Sequence, residues 1–205
     1  MVSSLQILPA ADLHRIHRVQ AITILWMSVE VVVGMWAARV ARSPAMTAFA
    51  GDSAIELFSA VVVLWRFRSA AGGEHEERRA ARIAGVLLFL LAAYVLGISA
   101  LSLLGYTEAR PTYWGIAILA AAIVIMPWLA REKRRLSFRT GSAALRADAA
   151  ESALCAYLSL VALLGLALNA IWHIRWADPL AAIVITPLII WEGREAFRGK
   201  ACGCC

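Results

Sequence analysis

Apolar residues run through this chain in long, almost unbroken stretches, without the alternation of a half-buried strand or the one-sided stripe of a soluble helix. The stretches lie near Val19 to Val40, Ala45 to Trp65, Ala80 to Gly105, Tyr113 to Ala130, Gly141 to Ile171 and Ala177 to Trp191. Each can cross a hydrocarbon core of about 30 Å, which takes roughly 20 helical residues. The pattern predicts an all-α integral membrane protein built as a six-transmembrane-helix bundle. Three parts follow: a short cytoplasmic amino-terminal segment (1–18), the transmembrane domain (19–198) and a short Cys-rich cytoplasmic tail (199–205). The connections are too short for a soluble domain. Residues 1–18, ending His14-Arg15-Ile16-His17-Arg18, lack the apolar core and cleavage site of a signal peptide, so the amino terminus is expected to be retained.

Composition agrees, since 61% apolar residues and a mean hydropathy of +0.72 exceed what a soluble core needs. Basic residues then orient the spans, because loops rich in Lys and Arg stay in the cytoplasm. With the amino terminus inside, that side collects 16 of the 20 Lys and Arg, Lys133 among them, leaving Arg39, Arg42, Arg110 and Arg175 outside. Both termini are expected in the cytoplasm, and the protein in the inner (plasma) membrane. The net charge of +6 is mostly this topological signal, with attraction to the anionic lipid bilayer as a by-product, and it gives no reason to invoke nucleic acid as a partner.

Acidic residues inside the apolar runs change the picture. A charge at bilayer depth costs on the order of 2.5 kcal/mol or more, so such groups mark ion or proton pathways. Residues four apart share a helix face, which places Asp52, Glu56 and Ser59 on one stripe of the second run, extending toward Val63. In the fifth run Glu151 lies four residues before Cys155, and Ser159 and Asn169 continue that face. Counting at about 1.5 Å per residue from Arg66 and Ser142 puts Asp52 about 21 Å and Cys155 about 20 Å from the cytoplasmic side. The same count gives about 15 Å for Glu56 and about 14 Å for Glu151. Three carboxylates and a thiol at matching levels suit four-coordinate zinc. The metal set expected is therefore Asp52, Glu56, Glu151 and Cys155.

Other residues have structural readings beside functional ones. Glu30, mid-span in the first run with Thr23, Met27 and Gly34 on its face, is either a proton shuttle or accessory holder of the metal site, or equally a protonated, hydrogen-bonded core carboxyl. Asp178 before Pro179 has the pattern of a helix N-cap. Pro127 and Pro187 mark kinks. Glu74-His75-Glu76-Glu77 reads as a solvated acidic loop, and Cys202, Cys204 and Cys205 as a weak accessory metal site on the reducing side of the membrane.

The segment Gly51-Asp52-Ser53-Ala54-Ile55-Glu56 resembles the second-helix metal motif of the cation diffusion facilitator (cation efflux) family. Arg146-Ala147-Asp148, running on through Glu151 and Cys155, resembles that family's fifth-helix motif. Trp176-Ala177-Asp178-Pro179-Leu180 and the later Glu192-Gly193 are similar to the ends of its sixth helix. The resemblance implies a homodimeric secondary transporter, not an enzyme, which exports a divalent cation in exchange for protons. It carries the ligand roles to Asp52 and Glu56, and to Glu151 and Cys155 with a one-residue shift. The alternative register would put Ser152 and Ala156 in those places, which is chemically poor; beside the shifted alignment Asp148 is kept as an accessory ligand or entry residue. The chain looks like a divergent member without the family's usual carboxy-terminal cytoplasmic domain.

A thiolate suits zinc or cadmium, whereas magnesium and calcium prefer oxygen. Zn2+, or Cd2+, is the expected cargo, and no resident cofactor is expected. A passive divalent metal channel and an iron(II) or manganese exporter are the alternatives. A membrane thiol redox protein is less consistent, because no span carries paired thiols and no haem-attachment sequence is present.

Overall fold

In lipid every backbone polar group must be satisfied within the segment, so long apolar runs settle as helices. The computed structural model describes residues 10–68, 74–110, 112–141 and 143–198, and among them it contains six helices and no strand. These are α1 (Ala10–Ala41), α2 (Pro44–Arg68), α3 (Glu74–Leu103), α4 (Tyr113–Thr140), α5 (Ala143–Trp172) and α6 (Ala177–Arg198). Five of them, α1 to α5, are long and apolar enough to cross a membrane. The sixth has 22 residues but carries Asp178 in its first turn and Glu192, Arg194 and Glu195 toward its end, which dilutes its apolar content. Cys202, Cys204 and Cys205 lie outside the described residues.

The helices overrun the apolar stretches at several ends, and charge explains where. Helix α1 begins at Ala10, so residues 10–18 of the expected amino-terminal segment are helical. Asp12 sits in its first turn, where a negative charge favours the helix dipole. Ile16 and Val19 are buried, and the charged flank is tied to α4 by Asp12 Oδ1 to Arg139 Nη2 at 2.8 Å and Arg15 Nη2 to Glu132 Oε1 at 2.5 Å. Helix α4 in turn runs ten residues beyond Ala130 before Gly141, at φ 65°, caps it in the left-handed conformation that glycine adopts cheaply. The acidic stretch Glu74 to Glu77 is likewise the opening of α3 and not a loop, consistent with acidic preference at helix N-termini.

Around the bundle the neighbours run α1, α4, α5, α6, α3, α2 and back to α1, and α2 also turns inward to touch α5 and α6. That makes α2 the hub, and its Pro44–Val62 span is the most buried of the five. Two close approaches seat α6. A Cβ on Gly165 of α5 would fall 2.5 Å from Ala181 Cβ, and one on Gly85 of α3 would fall 2.8 Å from the Gly193 carbonyl oxygen. Small residues at such crossings let helix backbones pack tightly, the usual device in membranes.

Asp178 serves a different helix from the one expected. It lies inside the first turn of α6, and its side chain reaches the start of α2. Ser43 Oγ donates to Asp178 Oδ1 at 2.5 Å and accepts from Met46 N at 3.0 Å, while Ala45 N donates to Asp178 Oδ2 at 3.4 Å. Ser43 is therefore the N-cap of α2, and Asp178 braces it from across the bundle. Pro127 and Pro187 lie inside α4 and α6, where each removes one helical hydrogen bond.

Candidate metal centre

The i, i+4 spacing on α2 turns Asp52 and Glu56 to one face, and that face meets α5 at Cys155. One donor atom from each of these three residues lies within 4.8 Å of the other two. Three points so spaced share a centre no more than about 2.8 Å from each, against roughly 2.0 to 2.3 Å for zinc to carboxylate or thiolate bonds. A contraction of about half an ångström brings the donors to coordination distance. All three side chains are enclosed, at 4%, 5% and 0% exposure. Cys155 is the free cysteine among the described residues.

A shell of donors holds these groups. Ser152 Oγ donates to Glu56 Oε1 at 2.9 Å, and Glu56 Oε2 is buried without a hydrogen-bond partner. Glu30 reaches in from α1: its Oε1 accepts from Trp26 Nε1 at 2.6 Å, and its Oε2 accepts from Ser53 Oγ at 3.2 Å. The Cys155 thiol points to the same Glu30 Oε2 at 3.9 Å and lies 3.9 Å from Ser53 Oγ. Glu30 is thus a fully buried hydrogen-bonded carboxyl that borders the centre.

Glu151 stays one turn away from the three-donor group. Its Oε1 accepts from Ser59 Oγ at 3.4 Å, and its Oε2 is buried and unpartnered. Asp148 is committed elsewhere, since Lys133 Nζ donates to Oδ1 at 2.8 Å and Gln20 Nε2 to Oδ2 at 2.5 Å. Each of its oxygens thus accepts one hydrogen bond from outside the three-donor group. Ser152, the alternative-register residue on α5, enters as a hydrogen-bond donor to Glu56.

Two participants were not singled out by sequence. Glu192 of α6 lies beside Asp52, with the two carboxyl groups close enough to interact electrostatically. Lys133, counted above as a cytoplasmic charge, is fully buried in α4. Charged residues close to the end of an apolar run gave Glu192 no distinguishing mark, and Lys133 shows its role only through partners on other helices.

Six helices among the described residues, five of them membrane-competent, with carboxylates and a thiol buried between them, fit a multi-pass membrane protein. Residues 16–200 match the cation efflux transmembrane domain, and the chain belongs to the cation efflux, or cation diffusion facilitator, family. It is also similar to the uncharacterized transporter sll1263 of Synechocystis sp. (strain ATCC 27184 / PCC 6803 / Kazusa), at 28% identity over 157 residues. That match covers 72% of this chain and 50% of the relative, so the chain spans about half the length of the curated relative it matches.

Proposed function

We propose that this protein is a secondary transporter that exports a divalent metal cation, zinc or cadmium, in exchange for protons. The cation is held between α2 and α5 by Asp52, Glu56 and Cys155, and Glu151 completes the shell by turning its unpartnered Oε2 inward. The observation that carries the reading is the convergence of the three donor atoms within 4.8 Å inside a chain of the cation efflux family. The soft thiol favours zinc and cadmium over magnesium or calcium.

Proton exchange follows from the donor set. Carboxylates and the thiol bind metal only in their deprotonated forms, so cation arrival expels protons and proton arrival expels the cation. One centre then serves both ions in turn. In this reading all six helices cross a cell membrane with both termini in the cytoplasm, and the protein works as a homodimer. The distribution of Lys and Arg supports that orientation.

Zinc and cadmium flux into proteoliposomes with an imposed pH gradient tests the proposal, comparing the parent protein with Asp52→Ala and Cys155→Ala. Antiport requires gradient-dependent flux that Asp52→Ala abolishes. Flux indifferent to the gradient would make the protein a channel, and absence of metal flux in a folded protein would overturn transport.

A further inference from the structure

Hydroxyls inside these helices mostly return to their own backbone. Thr23, Ser28, Ser159 and Thr186 each donate to the carbonyl four residues earlier, the ordinary habit of Ser and Thr in a helix. Three serines instead donate to a carboxylate at the centre or its border: Ser53 to Glu30, Ser59 to Glu151 and Ser152 to Glu56. Ser152 alone among the three also accepts a hydrogen bond from a lysine, with Lys133 Nζ at 2.8 Å.

That bond has a directional consequence. An ammonium group only donates, and a hydroxyl has a single hydrogen, so a serine oxygen that accepts from lysine must send its own hydrogen elsewhere. The acceptor within reach is Glu56 Oε1 at 2.9 Å. Lys133 is itself immobilised by Asp148, which is pinned in turn by Gln20 of α1. All four members, Gln20, Asp148, Lys133 and Ser152, are buried at 1% exposure or less. The chain of contacts draws on α1, α4 and α5 and ends on one oxygen of an α2 carboxylate, whose other oxygen is left buried and unpartnered.

We propose that Lys133 and Ser152 are positioning residues for the metal centre: together they hold Glu56 by Oε1 and so present Oε2 to the cation. The proposal rests on the metal-centre reading above and deepens it. Asp148 acts here as the partner that holds Lys133 in place. The device supports a ligand as outer hydrogen bonds do in other metal sites, where their loss weakens binding roughly 10- to 100-fold.

The test is Cd2+ titration of the full chain in detergent, followed by calorimetry and by the ultraviolet thiolate-to-cadmium absorption. Ser152→Ala is expected to weaken binding at least about tenfold, and Ser152→Thr, which keeps the hydroxyl, to restore it. The charge-neutral double variant Lys133→Met with Asp148→Asn is expected to weaken binding by a similar factor. Adding Ser152→Ala to it should cost nothing more, because the lysine acts through the serine. A hydroxyl-independent result, with Thr as poor as Ala, would overturn the proposal, as would losses that multiply in the triple variant or a double variant that binds like the parent. Glu56→Gln in the same titration separates the two levels. If it weakens binding while Ser152→Ala does not, the positioning role alone falls; if neither weakens it, the metal centre falls and the positioning role with it.

Discussion

Cys155 on α5 faces Glu30 on α1 with Sγ 3.9 Å from Oε2, so the thiol of the centre is aimed at a carboxylate from a helix that supplies none of the three converging donors. Glu30 is in turn fastened by Trp26 and Ser53. A sulfur aligned in this way makes cation preference depend on one side chain. Cys155→Asp is expected to lower the preference for Cd2+ over Mn2+ by at least about tenfold, because soft cations lose a thiolate while hard cations gain an oxygen. Competitive titration of the two metals checks it, and an unchanged ratio would show that sulfur takes no part.

Proton release gives a second expectation with a definite sign. A free thiol titrates near 8.5, so at neutral pH it must lose a proton when it takes a metal. Apparent affinity should therefore rise with pH and fall in acid, by about tenfold per unit for each proton expelled. Cys155→Ser removes one such proton and should flatten the plot of log Kd against pH by about one. Calorimetry in buffers of different ionisation enthalpy counts the protons directly, and an unaltered count in the variant would contradict the assignment.

Stability should respond unequally to the buried pair of Lys133 and Asp148. Breaking a buried ion pair from one side leaves an uncompensated charge and costs about 3 to 5 kcal/mol, whereas neutralising both members costs far less. Lys133→Met should lower the thermal unfolding midpoint in detergent clearly, and the added Asp148→Asn should recover most of the loss. Equal midpoints for the single and double variants would mean that the pair is not the source of the effect.

The brace between α6 and α2 predicts a further stability change, remote from the centre. Asp178→Ala removes the acceptor of Ser43 Oγ and of Ala45 N. Loss of hydrogen bonds to a charged group should destabilise by about 1.5 to 3 kcal/mol. Ser43→Ala should cost about 1 kcal/mol through loss of the cap on Met46 N. Because the two residues share a bond, the double variant should cost less than the sum, which chemical unfolding can measure.

The bundle was legible because lipid leaves few choices: apolar runs of span length become helices, and four-residue spacing sorts their faces. Asp52 and Glu56 could be paired on one stripe from sequence, and Cys155 matched to them by counting rises along two helices. The same count set Glu151 level with Glu56, but in the folded chain Glu56 bonds Ser152 and Glu151 bonds Ser59. An axial count carries no information about rotation, and about 100° separates adjacent residues on a helix. Helix ends were misjudged where charge, not apolarity, continues the helix, as at Ala10, Glu74 and Thr140. Lys133 and Glu192 were hidden for a related reason. A basic or acidic residue near the end of an apolar run reads as a surface charge until tertiary contacts bury it.

The crossing of α3 and α6 has a mechanical meaning. At Gly85 and Gly193 the two backbones touch with no side chain between them, so there is no soft spacer to absorb a push from one to the other. Glu192, which lies beside Asp52, is the residue next to that contact. A tilt of α3 would therefore have to carry α6 with it at this crossing, and with α6 the Glu192 carboxyl beside Asp52.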